Sequence, residues 1–267
     1  MVIRSAALVL FLVAFIVSLG AGTGEGAGSR GPAGIDVSRF EGQIGWRRVA
    51  RAGVDFAFVQ ASRGSGADCT VKPQHCGRDR RYDLNYRRAS EEGIRVGAYH
   101  RAFTNGDSLF EAKRDARSEA RQFIAEVGAL HDRDLLPVLD FEAPFGGLDP
   151  RQLRAWVKTW LARVQDALGA KPMIYTNVSS WSASGDTATF ALIGHRLWVA
   201  NWDVDEPLVP AGDWAGRGWS VWQYTNLGRV DGIRGRVSLD RLGVPLNRIS
   251  VHRRDRGWHD LVPARRG

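Results

Sequence analysis

The sequence predicts an α/β protein folded as a single irregular (β/α) barrel of the TIM-like kind. Short apolar strands alternate with segments of helical spacing along most of the 267 residues, the pattern of a parallel sheet whose connections are helices. The strands are nearly continuous apolar runs, which indicates burial on both faces. A chain of this length is ordinary for one such barrel, whose active site lies at the C-terminal ends of the strands.

The predicted strands are bounded by turn residues or by polar groups. In chain order they are GIDVS (34–38), DFAFVQAS (55–62), RVGAYHRAF (95–103), LLPVLDFE (135–142), KPMIYTN (171–177), RLWVANW (196–202) and WSVWQYT (219–225). Some connections between them are too short for a full helix, so the predicted barrel is irregular.

The sharpest helical pattern covers residues 150–168, where apolar residues recur on one face. Its ends contain an N-cap, a proline in the first turn, a capping-box glutamine and a terminal glycine, namely Asp149, Pro150, Gln152 and Gly169. An earlier helix is predicted from the apolar face between Ala116 and Val127.

The two ends of the chain differ in composition from the predicted barrel, which spans 34–248. Residues 1–21 have one arginine followed by a long apolar run, typical of a secretory signal or an N-terminal membrane anchor. A Gly-rich linker follows at 22–33, and 249–267 form a basic tail. We therefore expect a secreted or otherwise extracytoplasmic protein, with any membrane tether supplied by the N-terminal segment.

The only two cysteines, Cys69 and Cys76, lie close together in the sequence. In an exported chain such a pair predicts a disulfide that closes a short loop. A metal site would need more ligands than the neighbouring His75 supplies. Neither a metal nor another cofactor is expected.

The chain is basic, with 37 Lys and Arg against 29 Asp and Glu and a formal net charge of +8. Such an excess favours anionic partners, among them nucleic acid, membrane surfaces and acidic cell-wall polymers. Nucleic-acid binding would depend on charge alone, because no recognisable module is present. No stable protein partner is predicted.

Carboxylates follow two of the predicted strands. Asp36 ends the first strand, and Asp140 and Glu142 end the central one. Strand alternation puts the latter two on one side of the strand, about 6–7 Å apart along the backbone. Because barrel strands point their C-terminal ends at one rim, we expect all three acids to meet there.

Close carboxylates suit the hydrolysis of a glycosidic bond. Two such groups raise each other's pKa, so that one stays protonated near neutral pH while the other stays charged. The first then protonates the leaving oxygen and the second stabilises the sugar cation. A single acid at a strand end more often caps a helix or pairs with arginine, but three acids at one rim favour the catalytic interpretation.

Aromatic residues and one histidine accompany the acids. Of the 10 Trp residues, five lie between Trp198 and Trp222, and we expect about two to face a sugar-binding groove. His100 could be a base, although a lone strand histidine is more often a hydrogen-bonded structural residue. The sequence contains no G-x-S-x-G elbow and no phosphate-binding loop.

Several segments, taken in order, resemble those of glycoside hydrolase family 25, the Chalaropsis-type lysozymes or N-acetylmuramidases. They are GIDVSRFEGQIGWRRVARAGVDFAFVQASRG, DRRYDLNYRRASEEGIRVGAYHRAF, LPVLDFE, KPMIYTN, LWVANW and WSVWQYTNLGRVDGIRGRVSLDRL, from about Gly34 to Leu242. The resemblance implies a metal-free barrel that cleaves the β-1,4 bond from N-acetylmuramic acid to N-acetylglucosamine in peptidoglycan glycan strands, with net retention.

The resemblance also implies roles for individual residues. Glu142 would be the general acid, Asp140 would stabilise or orient the reacting sugar through its 2-acetamido group, and Asp36 would be the third acid on the groove floor. The positions that commonly line the groove correspond to Tyr99, Tyr175, Trp198 and Gln223.

The chain departs from the family pattern at several positions. The final motif of the family usually reads V-D-L-N, and Ser238 stands in place of its acid. Asp240, two residues on, would share a strand face and is a candidate replacement that contacts substrate. Arg39 and Phe40 replace a frequent His-aromatic pair, and Arg63 stands where an acid is common.

Two alternatives from the sequence remain open. A wall-binding barrel without efficient chemistry would explain Ser238. A chitinase-like glycosidase would also end a strand with D-x-E, although those enzymes usually have a longer run of acids before it.

Overall fold

The computed structural model of the protein describes residues 33–65 and 76–252, and within these ranges the chain forms a closed barrel surrounded by helices. The strands are β1 (Ala33–Val37), β2 (Val54–Arg63), β3 (Gly77–Arg78), β4 (Arg95–Arg101), β5 (Val138–Asp140), β6 (Met173–Thr176), β7 (Leu197–Ala200), β8 (Val221–Gly228) and β9 (Val237–Leu242). The predicted α/β barrel is therefore confirmed.

The barrel is mixed, which differs from the all-parallel sheet predicted from the sequence. Strands β1, β2, β4, β5, β6, β7 and β8 pair in parallel in that order. Strand β9, which is absent from the predicted set, runs antiparallel between β8 and β1 and closes the barrel. The connection at 229–236 is too short for the crossover that a parallel strand would need, so β9 returns antiparallel.

The helices of the described ranges are α1 (Trp46–Arg51), α2 (Tyr82–Glu91), α3 (Leu109–Val127), α4 (Pro150–Leu168), α5 (Val178–Ser182), α6 (Thr189–Leu192) and α7 (Pro210–Gly216). Both helices predicted from the sequence are present as α3 and α4. The capping box between Asp149 and Gln152 forms, and Gly169 ends α4 with a φ of 68°. The α7 segment is a left-handed turn, since φ from 211 to 215 lies between 51° and 61°.

Strand alternation divides the side chains into two sets. Those that point into the barrel form an aromatic-rich interior that includes Phe56, Phe58 and Trp198. Glycines on the neighbouring strands make room for it, because a Cβ at Gly97 would lie 2.8 Å from the Phe58 ring and one at Gly34 only 2.1 Å from Phe56. Because these aromatic rings fill the interior of the barrel, space for polar side chains of the same strands remains only at the open C-terminal rim.

The barrel packing extends slightly beyond the predicted boundary at residue 248. Ile249 and Val251 are buried, and Ser250 forms a β-bridge with Leu135. The predicted signal or anchor, most of the linker, Cys69 of the predicted disulfide and residues 253–267 of the basic tail lie outside the described residues. Within the described ranges, no helix is both long and apolar enough to span a membrane.

Candidate active site

A groove of about 270 Å³ opens at the C-terminal ends of the parallel strands. The predicted residues that line it are Asp36, Tyr99, Asp140, Glu142, Tyr175, Trp198 and Gln223. They come from six strands or strand ends spread around the barrel, so only closure of the sheet brings them together. Asp240 is the one predicted site residue that does not line the groove.

Asp36 lies on the groove floor. Its Oδ2 accepts a hydrogen bond of 2.6 Å from Gln223 Nε2, and its carboxyl group also hydrogen-bonds Ser238. Burial raises the pKa of Asp36 to about 7, although these two hydrogen bonds oppose the shift. Asp36 therefore changes charge near neutral pH, as a group in an acid–base site can.

Asp140 and Glu142 share one cation, Arg101. Its Nε lies 3.1 Å from Glu142 Oε1 and 3.7 Å from Asp140 Oδ2. Glu142 is the more open of the two, with 31% of its side chain exposed against 11% for Asp140. Burial is the main cause that raises the pKa of Asp140 well above its usual range; Arg101 lowers it, and the charge of Glu142 raises it further.

Arg101 was not predicted as a site residue. Its guanidinium also donates to the carbonyl oxygens of Ala102, Glu142 and Ala143 at 2.9, 2.8 and 2.7 Å, so it holds the chain that follows β5 in place. The available signal was an arginine at the C-terminal end of the buried strand β4, where a buried cation needs a functional or structural partner.

Gln223 orients the aromatic wall of the groove. Its Oε1 accepts hydrogen bonds from Tyr175 Oη at 3.1 Å and from Trp202 Nε1 at 3.0 Å, while its amide nitrogen donates to Asp36. Trp202 is 43% exposed and, like Trp198, lines the groove. Trp198 and Trp202 are the two of the five clustered Trp residues that line the groove, and of these two only Trp202 is substantially exposed.

Asp240 lies one layer below the groove floor. Its side chain is buried, and its Oδ1 accepts a hydrogen bond of 2.9 Å from Trp198 Nε1. In the strand register Ser238 is opposite Asp36, whereas Asp240 is opposite Gly34. Asp240 therefore supports Trp198 from beneath, and Ser238 is the residue of β9 that reaches the groove.

The other departures from the family pattern gather at one side of the groove. Phe40 and Arg63 line it, and Phe40 is 63% exposed. The guanidinium carbons of Arg39 and Arg63 lie over the Phe40 ring, 5.1 and 5.6 Å from its centroid. This side of the groove is therefore basic and aromatic.

His100 faces away from the groove, toward the helices. Its Nδ1 lies 2.8 Å from Ser62 Oγ and its Nε2 lies 2.7 Å from Glu119 Oε2, and all three residues are buried. Burial lowers the pKa of His100 to about 3 and raises the pKa of Glu119 to about 8. Although Ser, His and Glu resemble a catalytic triad, substrate cannot reach them, so His100 is a structural residue.

Residues 33–65 and 76–252 contain no group of three or more His, Cys, Asp or Glu side chains placed to hold a metal ion. The chemistry available in the groove is that of the three carboxylates, the arginines and the hydrogen-bonding aromatics.

Comparison with known proteins places this arrangement in a family. The sequence profile of glycosyl hydrolases family 25 matches residues 35–233. Lysozyme M1 of Streptomyces globisporus is 33% identical over 234 residues, which cover 84% of this chain and 73% of that protein. An N,O-diacetylmuramidase of Arthroderma benhamiae is 28% identical over 74% of this chain and 79% of its own.

Solved structures agree with the sequence comparison. The bacterial lysozyme from Streptomyces coelicolor superposes with a TM-score of 0.70 at 32% identity, covering 83% of this chain and 96% of that one. A muramidase from Trichobolus zukalii has the same fold, with a TM-score of 0.67 at 21% identity over 81% of this chain and 96% of its own.

Proposed function

The chain belongs to glycosyl hydrolase family 25, and we propose that it is a muramidase, hydrolysing the β-1,4 bond between N-acetylmuramic acid and N-acetylglucosamine in peptidoglycan. Relatives named lysozyme and N,O-diacetylmuramidase support this substrate. The observation on which the proposal depends is the convergence of Asp36, Asp140 and Glu142 in one groove walled by Trp198 and Trp202.

Glu142 is the proton donor in this proposal. Of Asp140 and Glu142 it is the more exposed, so it can reach the glycosidic oxygen of a bound chain. The two acids share Arg101, so one positive charge faces two carboxylates, and burial raises the pKa of Asp140 well above its usual range.

Asp140 orients the substrate. Its Oδ1 is buried and accepts no hydrogen bond from any described residue, which makes it a ready acceptor for the N–H of the 2-acetamido group. That hydrogen bond favours the ionised form of Asp140.

Cleavage then proceeds in two steps. The acetamido oxygen attacks the anomeric carbon while Glu142 gives its proton to the leaving oxygen, so one C–O bond forms as the other breaks. Water then attacks the cyclic intermediate, and Glu142 takes a proton from it. Two inversions at the same carbon give net retention.

Export to the cell wall is the second part of the proposal. Residues 1–21 have the composition of a signal or anchor, and the net charge of +8 favours binding to an anionic wall. Binding of this kind weakens as salt is added.

Mass analysis of muropeptides released from purified walls tests the activity, since the new reducing end identifies the bond cut. Wild type should release products that end in N-acetylmuramic acid, and Glu142→Gln should release almost none. We expect a bell-shaped pH profile on the mildly acidic side. Equal clearing by both proteins, or a flat profile from about pH 4 to 9, would refute these roles.

A wall-binding barrel without efficient chemistry is the second candidate, and two observations favour it. Ser238 replaces the family acid beside Asp36, and Arg101 pairs directly with Glu142. Wild-type protein that sediments with walls but releases no muropeptides would identify this function.

A further inference from the structure

The basic side of the groove contains a second cation, Arg63, whose contacts differ from those of Arg101. Arg63 ends β2 and lies beside Arg101 of β4 in the strand register. Arg101 is satisfied by two carboxylates and three carbonyl groups. The Arg63 side chain, in contrast, forms no ion pair or hydrogen bond with any described residue, and its Nε is fully buried.

Two aromatic rings hold the Arg63 guanidinium in place. Its central carbon lies 5.6 Å from the centroid of Phe40 and 4.9 Å from that of Phe103. Stacking uses the face of a guanidinium, whereas its N–H groups lie in the plane, where a carboxylate can accept two of them. The site is thus preorganised for a planar anion, and a buried donor without an acceptor is costly unless a ligand supplies one.

The ligand must be part of whatever occupies the groove, because Arg63 lines the same cavity as the catalytic acids. Neighbouring parallel strands are about 5 Å apart, so an anion on Arg63 lies one strand away from Arg101 and the acids that it contacts. In a glycan of N-acetylglucosamine and N-acetylmuramic acid, the only carboxylate attached directly to a sugar is the lactyl group. It is charged only when no peptide stem is amide-linked to it.

We propose that Arg63 forms an anion subsite for the free lactyl carboxylate of muramic acid, so that the enzyme prefers glycan strands whose peptide stems have been removed. This inference depends on the proposed muramidase function. The preferred substrate is then the product of an amide hydrolysis that cuts the lactyl–peptide bond. The acid that is common at this position in the family would repel the same group.

Three tetrasaccharides of the two alternating sugars test the proposal with the full chain. One has free lactyl carboxylates, the second has lactyl methylamides, and the third has L-Ala–D-Glu stems, whose carboxylates lie on the peptide. For wild type, kcat/KM should be about tenfold or more higher on the free acid than on the methylamide. The preference should shrink as salt is raised.

Substitutions locate the subsite. Arg63→Gln should reduce the ratio of acid to methylamide to about one, while Arg63→Lys should keep part of it. Arg121→Gln removes the same charge from the exposed face of α3 and should keep the full ratio. If Arg63→Gln does not fold, the wild-type ratio and Arg63→Lys still decide the question.

The outcomes separate the two proposals. If wild type has equal kcat/KM values for the free acid and the methylamide, the subsite proposal is wrong while the muramidase proposal stands. A preference for the stem-bearing probe would mean that Arg63 binds a carboxylate of the peptide instead. Cleavage of no probe overturns the muramidase. In that case the subsite is tested by calorimetric measurement of the binding of the acid and the methylamide. Equal Kd values refute the subsite, and a difference in Kd that Arg63→Gln abolishes supports it.

Discussion

Replacing Glu119 by glutamine should stabilise the protein at alkaline pH relative to wild type. Glu119 is buried against His100, and burial raises its pKa from 4.5 to about 8. A carboxyl group whose pKa is raised by folding contributes stability in full below its unfolded pKa, and this stability is lost as pH rises toward the folded value. Glutamine has the same shape and can still form hydrogen bonds at this position, but its side chain does not ionise.

The size of this stability difference can be worked out for the interval between pH 6.5 and pH 8. Above pH 6.5 His100 is neutral in both the folded and unfolded states, because burial lowers its pKa from 6.5 to about 3. In this range only Glu119 of the pair releases a proton on unfolding, and the release of one proton changes the free energy of unfolding by about 1.4 kcal/mol per pH unit. Wild type should therefore lose about 2 kcal/mol relative to Glu119→Gln over this interval.

Urea unfolding at pH 6.5 and pH 8 measures the free energies of unfolding of wild type and Glu119→Gln. Glu92→Gln is the matched control, since Glu92 is exposed and its substitution should leave the pH dependence of wild type unchanged. Between about pH 4.5 and 6.5 the opposite slopes of His100 and Glu119 should cancel. Parallel pH dependence of wild type and Glu119→Gln would refute the assignment of a neutral buried pair.

Three further predictions concern the groove. Asp36→Asn should be more stable than wild type above pH 7, with a gap that closes toward pH 4 in urea titrations, because folding raises the pKa of Asp36 from 3.8 to about 7. Trp198→Phe should cost about 2–4 kcal/mol of unfolding free energy, since it leaves a cavity and removes the donor to Asp240. Arg101→Met should lower wall clearing about tenfold or more by releasing the chain around Glu142; clearing at the wild-type rate would contradict this role.

Much of the site could be predicted from the sequence because its signals are local. Position at the ends of strands predicted that Asp36, Asp140 and Glu142 would meet at one rim, and all three line the groove. Strand alternation turns His100 away from that rim, toward Glu119. The ends of α4 follow from Asp149 and Gly169 alone, since capping involves only a few consecutive residues.

Closure of the barrel required the tertiary structure. Strand β9 alternates polar and apolar residues and has no continuous apolar run of the kind that marks the parallel strands. Its pairing with β1 joins residues about two hundred positions apart. That register decides that Ser238 faces Asp36 while Asp240 lies beneath Trp198. The sequence spacing suggested only that Ser238 and Asp240 share a face.

The sequence by itself therefore determined the fold class, the family and the acids of the rim, because periodicity and short motifs are properties of neighbouring residues. The tertiary structure alone decided how those acids are charged and which cations meet them. Arg101 reaches both Asp140 and Glu142, whereas Arg63, its neighbour across the sheet, has no hydrogen-bond acceptor among the described residues. Burial and through-space distance set pKa and ion pairing, and both exist only once the strands have closed.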